Sequence, residues 1–215
     1  INSFHFIDCL SDCLRGNETI VTDMGTSFTC TMQSLKIKNP NRQRLFTSSG
    51  LASMGFGLPG AIGAFFADKN DPIICITGDG GMMFNIQELQ TIANHKIPMK
   101  IFVIENKGYL TMKLMQVKNF KRLVGSTEKS GISFPNLRDL SKTFNLKYVK
   151  LERQNMKKQI IDILKYKKSA LIEINMPPEQ PLIPRMQNRL NKDGTFMSPR
   201  LDDLYPHLSE YDLKV

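Results

Sequence analysis

Apolar side chains at Phe4, Ile7, Leu10 and Leu14 recur at intervals of three and four, the spacing of one face of an α-helix. The short β-branched run Thr19-Ile20-Val21-Thr22 follows and gives way to Asp23-Met24-Gly25, so the first unit reads helix, strand, loop. The same order of signals then returns. Small residues dominate Ala61 to Ala67, Ile73-Ile74-Cys75-Ile76-Thr77 is a buried-strand run, a helical pattern covers Met82 to Asn94, and Ile101-Phe102-Val103-Ile104 is apolar throughout. Further along, helical stretches near Asn136 to Phe144 and Met156 to Lys165 alternate with strands near Leu146 to Leu151 and at Ala170-Leu171-Ile172-Glu173-Ile174. Strands that alternate with helices, and that are apolar at consecutive positions rather than every second one, are covered on both faces. The pattern therefore predicts an α/β fold, an open parallel sheet with helices on both faces. Pro177-Pro178 and Pro181 stop regular structure. They divide the chain into a domain over residues 1–176 and a proline-containing C-terminal tail over 177–215, which wraps the surface or reaches a partner chain.

Size and composition narrow the class. With 215 residues and 41% hydrophobic content, the chain can bury one full core. Cys9, Cys13, Cys30 and Cys75 show neither the density of a disulfide framework nor the paired CxxC spacing of zinc sites. A reduced, cytoplasmic compartment is the expectation, with the thiols serving as small buried hydrophobes. No apolar run approaches the ~20 residues needed to cross a bilayer, so no membrane partner is expected. Ile1 opens the chain without the regions of a signal peptide, and a first residue other than Met points to the C-terminal piece of something longer. Lys and Arg outnumber Asp and Glu 29 to 20, a net charge of +9. The surplus favours anionic small molecules, but it is diffuse, and Lys157-Lys158 and Lys165 to Lys168 surround an amphipathic helix as a solvated face would, so no nucleic-acid partner is expected. His5, His95 and His207 are not spaced as a metal set.

In an open parallel sheet, ligands bind beyond the carboxyl ends of the strands, which directs attention to the loops after Thr22, Thr77 and Ile104. After Thr77 stands Gly78-Asp79-Gly80-Gly81, and after Ile104 stands Glu105-Asn106-Lys107-Gly108. One βαβ unit separates Asp79 from Asn106, so both polar side chains sit at neighbouring strand ends. The glycines let backbone approach a ligand and open a helix whose free N–H groups favour phosphate. A carboxylate, an amide oxygen and a backbone carbonyl are hard ligands suited to Mg²⁺ or Ca²⁺ shared with phosphate oxygens and water.

At these residues the chain resembles the thiamine diphosphate enzymes, whose signature is Gly-Asp-Gly followed about one βαβ unit later by an Asn pair. The resemblance implies that Asp79, the side chain of Asn106 and the carbonyl of Gly108 hold Mg²⁺, that Gly78, Gly80 and Gly81 face the diphosphate, and that Tyr109 lines the reacting centre. The first Asn of the pair is Glu105 here, and the second is the ligand. The block Ser48 to Ala64 looks like the corresponding segment of acetolactate synthase and its relatives. It implies that Met54 is the apolar support that bends thiamine and that the backbone at Ala52 accepts from its amino group. Asp23-Met24-Gly25-Thr26-Ser27 occupies the family's other diphosphate loop, where Gly25, Thr26 and Ser27 would donate to phosphate. Gln87-Glu88-Leu89 recurs in the family too, with Glu88 read as helix packing or interface.

Beyond the metal loop, Tyr109 to Met112 and Arg122 to Pro135 resemble acetolactate-synthase-like proteins of unusual sugar biosynthesis. The biosynthetic acetolactate enzymes carry a Trp in this region, and this chain has none. What the resemblance implies is a decarboxylase or carboligase using thiamine diphosphate and Mg²⁺. It would decarboxylate a 2-oxo acid, pyruvate by family frequency, and pass the acyl carbanion equivalent to an acceptor. Its activating Glu would lie in a separate pyrimidine-binding domain, in a homodimer or homotetramer, so the chain alone would be nearly inactive. One other reading remains. Gly55, Gly57 and Gly60 form G-x-G-x-x-G with Asp79 at the distance of a ribose-binding acid, as in a dinucleotide-binding, Rossmann-like module. Pro59 inside the turn, and Ser48-Ser49-Gly50 where a strand should be, stand against it.

Overall fold

The computed structural model describes residues 1–207 apart from 187, 192 and 199. The chain forms two compact units, Ile1–Pro178 and Glu179–Val215. The first runs α1 (Ser3–Cys13), β1 (Thr19–Thr22), α2 (Thr26–Ser34), β2 (Arg44–Phe46), α3 (Gly57–Ala67), β3 (Ile73–Gly78), α4 (Asp79–Met83), α5 (Glu88–Asn94) and β4 (Lys100–Glu105). It continues through α6 (Leu110–Phe120), a 3-10 turn at Glu128–Ser130, α7 (Leu137–Thr143), β5 (Lys147–Lys150), α8 (Met156–Lys165) and β6 (Ala170–Asn175).

The six strands form one sheet in the order β2-β1-β3-β4-β6-β5, parallel at every pairing. Consecutive strand residues point to opposite faces, and each face has its own cover. Val21, Cys75, Ile101, Val103 and Leu171 pack with Leu58 and Ala61 of α3, Leu89 and Ile92 of α5 and Leu137 of α7. On the other face the ring of Phe6 from α1 meets that of Phe102, centroids 5.4 Å apart, and α1 packs against α2 and α8. The α/β fold read from the pattern, an open parallel sheet with helices on both faces, is the fold observed.

Several elements escaped the pattern for physical reasons. The buried side of α2 is Thr26, Ser27, Cys30 and Thr31, so no apolar stripe marks it. In α6 only Leu110 is buried, and β2 is an edge strand with an exposed Arg44 and Phe46 around a half-buried Leu45. The helical stretch read over Met82 to Asn94 is two helices, α4 and α5, broken where Asn85 turns its amide to the Gly55 carbonyl, 2.9 Å away. Strand β4 begins one residue earlier than its apolar run because the buried Lys100 ammonium donates to the carbonyls of Pro98 and Lys168, at 3.0 and 2.8 Å. Asn2 and Asn136 cap α1 and α7 through their side-chain oxygens.

In the second unit, β7 (Arg189–Leu190) pairs antiparallel with β8 (Phe196–Met197), and the backbones of Arg185 and Tyr205 bond reciprocally. The stretch expected to lack regular structure thus contains a small hairpin. The end of the tail, from residue 208, lies outside the described residues. Among the described residues, no helix is long and apolar enough to cross a membrane.

Phe102 lies in a central strand with no exposed surface. Phe102→Ala should lower unfolding free energy by about 3–5 kcal/mol, seen as a fall in the urea midpoint with little change in slope.

Candidate functional site

The chain leaves β1 toward one face of the sheet, through α2, and leaves β3 toward the other, through α4 and α5. A crevice therefore opens between the carboxyl ends of these two adjacent strands, where a doubly wound sheet takes its ligands. Registers place Thr22 beside Ile76 and Gly78 beside Ile104, so the loops after β1, β3 and β4 share one rim.

Asp79, the first residue of α4, is 3% exposed. Its Oδ1 accepts from the Gly80 N–H at 2.7 Å, and its Oδ2 accepts from the N–H groups of Asn106 at 3.1 Å and Lys107 at 2.6 Å. One side chain thus binds the tip of β3 to the tip of β4. Among the described residues no ion pair joins a cation to it, and burial pushes its carboxyl up to about 6, against the downward pull of those three N–H donors. Asn106 is equally enclosed. Its Nδ2 donates to the Thr26 hydroxyl at 3.4 Å, while its Oδ1 is buried without a hydrogen-bond partner. An orphaned acceptor beside a desolvated carboxylate is a donor set that a hard cation would satisfy. Among the described residues no three His, Cys, Asp or Glu side chains gather as a metal site.

The cleft over these groups holds about 70 Å³ and is lined by Met24, Gly25 and Thr26 from the first loop and by Gly78 through Gly81 from the second. Asn106, Gly108 and Tyr109 close a third side, and Met54 a fourth. The space suits a cation with one or two phosphate oxygens. Two glycines are dictated by contact: a Cβ on Gly80 would meet the Tyr109 ring at 2.3 Å, and one on Gly108 the Ser126 carbonyl at 2.5 Å. Tyr109 is held edge-on by Phe134, centroids 5.9 Å apart. Two residues implied by the resemblance lie off the cleft lining. Ser27 is fully buried with its hydroxyl donating to the Met24 carbonyl at 2.9 Å, and Ala52 is exposed in a left-handed backbone conformation, φ 53°.

The residue that sequence reasoning left without a role is Asp23. It is fully buried, and Oδ1 accepts from Met24 N–H at 2.7 Å and Gly55 N–H at 2.9 Å while Oδ2 accepts from the Thr77 hydroxyl at 3.0 Å. Three segments far apart in the chain meet on this carboxylate, and with Asn85 it clamps Gly55 from both sides, presenting Met54 to the cleft. Its only advertisement in the sequence is its place after a strand. Leu110, Thr111 and Met112 also line the cleft.

The same contacts correct the dinucleotide reading. Strand β2 ends at Phe46, well before α3 starts at Gly57, so no strand feeds the glycine run directly into a helix. A Cβ on Gly57 would meet Asp23 at 3.1 Å and one on Gly60 would meet Phe56 at 2.8 Å, so these glycines serve close packing. Asp79 belongs to the other loop. At Glu105, the amide of Asn175, turned so that its nitrogen faces acids, donates to Glu105 and to Glu173 at 3.1 Å and accepts from Lys150 at 2.7 Å. Burial, with Glu173 nearby, raises the Glu105 carboxyl. Glu88 accepts from Thr91 within α5.

The raised Asp79 carboxyl has a sign. From the unfolded value of 3.8 to about 6 the folded, metal-free chain binds the extra proton, so its stability falls as pH rises through that window. The loss should approach ~3 kcal/mol by pH 7. Urea midpoints between pH 4 and 7 should show this decline in the native chain and not in Asp79→Ala.

Comparison with known proteins agrees with this geometry. The family described as thiamine pyrophosphate enzyme, C-terminal TPP binding domain, matches residues 23–174. The acetolactate synthase large subunit of Porphyra purpurea is 34% identical over 165 residues, 76% of this chain and 27% of that protein. The large subunit from Lactococcus lactis is 29% identical over 190 residues, covering 87% of this chain and 32% of the relative. Acetolactate synthase isozyme 2 large subunit of Escherichia coli K12 is 41% identical over 98 residues, 46% of the chain and 18% of that protein. The chain spans about a third or less of the length of these relatives. With a thiamine diphosphate-binding match that begins at Asp23 and runs through both strand-end loops to β6, the chain belongs to the thiamine pyrophosphate enzymes as their C-terminal, cofactor-binding domain.

Proposed function

We propose that the chain binds the diphosphate of thiamine diphosphate through Mg²⁺, held by the Asp79 carboxylate, the Asn106 amide oxygen and the Gly108 carbonyl. The observation that carries this is the unpartnered, buried Oδ1 of Asn106 beside a desolvated carboxylate. Gly25 and Thr26 at the start of α2, and Gly78, Gly80 and Gly81 around the start of α4, offer N–H groups and open backbone to phosphate oxygens. Ser27, behind Thr26 in the first turn of α2, adds its N–H to the same loop. Met54 supports the thiazolium side from the clamped Gly55 loop, the Ala52 backbone accepts from the aminopyrimidine, and Tyr109 walls the reacting end.

When bound, the cofactor supplies a carbon nucleophile and an electron sink for decarboxylating a 2-oxo acid. The part of this chain is to fix that group against Mg²⁺ and exclude water from the cleft. By likeness to acetolactate synthases, the whole protein would be a carboligase acting on pyruvate or another 2-oxo acid, and the resemblance of Tyr109 to Met112 and Arg122 to Pro135 to proteins of unusual sugar biosynthesis supports a role there. A pyrimidine-binding domain would contribute the activating Glu in a homodimer or homotetramer. Four free thiols fit a reducing, cytoplasmic setting.

Calorimetric titration of thiamine diphosphate should give tight binding only with Mg²⁺. Asp79→Ala and Asn106→Ala should each weaken it by on the order of 100-fold, about 3 kcal/mol. Metal-independent binding of equal strength would refute the metal assignment. Gly80→Ala should block binding, and Gly80→Ala with Tyr109→Ala should regain part of it, because the added methyl collides with that ring. The chain alone, given cofactor and pyruvate, should release almost no CO₂, and robust release would remove the need for a second domain.

A further inference from the structure

Cys9 and Cys13 stand one turn apart on α1, four residues from each other and on one face. Both are half-buried, whereas Cys30 and Cys75 are sealed in the core. The two thiols lie within range to alter each other's ionisation. Across the pair lies α8: the Cys13 sulfur approaches the Lys157 carbonyl at 3.9 Å, and the Lys157 ammonium favours the ionised form of both thiols. On their own helix Asp12 acts the other way on both thiols and Asp8 on Cys9, and both acids are engaged by Lys36, at 2.5 and 3.7 Å. None of these groups belongs to the cofactor cleft.

Helix geometry decides what such a pair can do. Side chains at i and i+4 leave Cβ atoms about 5–6 Å apart, whereas a disulfide needs roughly 3.5–4.5 Å. Direct S–S bonding would require α1 to unwind. An ion inserted between the sulfur atoms lengthens the bridge by one bond and spans the gap with the helix intact. Burial raises both thiols, Cys13 to about 11, so they are poor nucleophiles near neutrality. An ion must displace their protons. Zinc would want four ligands, and among the described residues no third His, Cys, Asp or Glu joins the pair. A soft ion content with two sulfur ligands meets both conditions, and thiolates select Cu(I) on that basis.

We propose that Cys9 and Cys13 form a two-sulfur site for one soft monovalent cation of the Cu(I) type, separate from the cofactor cleft. Two S–H bonds break and two S–Cu bonds form. Both protons pass to water, and nothing is oxidised or reduced. The centre carries one net negative charge, which the Lys157 ammonium across the groove offsets.

The test supplies Cu(I) to the full chain, anaerobically, from its bicinchoninate complex and follows loss of that chromophore. One equivalent should be taken up. Cys9→Ser and Cys13→Ser should each weaken uptake at least tenfold, the double variant should abolish it, and Cys75→Ser should leave it unchanged. Equal uptake by the double variant would overturn the site, as would single variants that bind as tightly as the native chain. X-ray absorption at the copper edge of the unsubstituted protein gives a readout independent of the variants: two sulfur neighbours are expected, and one sulfur, or oxygen and nitrogen neighbours, would overturn the proposal.

Discussion

A single carboxylate, that of Asp79, holds together the two strand tips on which the site is built. Three backbone N–H groups from α4 and from the loop after β4 converge on it, fixing where Asn106 stands and how Gly108 and Tyr109 follow. Those N–H bonds only partly offset the removal of a charge from water, which is why the carboxyl is still pushed up to about 6. The fold thus carries a local electrostatic debt at the point where a cation can discharge it. A neutral side chain could accept the same bonds, but it would offer a metal no charge.

The second constraint is Asp23, whose three hydrogen bonds join the end of β1, the Gly55 loop and Thr77 of β3. The two acids divide the work across the switch point. Asp79 positions Asn106 and the loop after β4, and Asp23 positions the apolar wall that Met54 adds to the cleft. Their enclosure also explains the glycines. A Cβ on Gly81 would come within 2.8 Å of the Asp23 carboxylate, and one on Gly80 would strike Tyr109, so both loops are as close as backbone can come. The departure from the family pattern at Glu105 is absorbed next door: Asn175 of β6 bridges Glu105 and Glu173, with Lys150 completing the network. Asn106 next to Glu105 bonds through its amide nitrogen to the Thr26 hydroxyl.

What the sequence determined by itself was the sheet and the pair of strand-end loops that meet at Asp79 and Asn106. Unbroken apolar runs at β3, β4 and β6 can be stable only when covered on both sides, so burial alone forced a parallel sheet under two helical layers. Gly78-Asp79-Gly80-Gly81 and Asn106 were legible because a strand end fixes where the next side chain points, and the distance of one βαβ unit fixes its neighbour. Tertiary structure alone decided the rest. Helix α2 hides behind Ser and Thr because its buried face is small and polar, and the break between α4 and α5 exists to send Asn85 to Gly55. Asp23 became central only through contacts with residues 32 and 54 positions away. Periodicity records which side of an element meets the core, whereas a hydrogen bond between distant segments leaves no period in the chain, and for that reason the partners of Asp23 had to be seen in three dimensions.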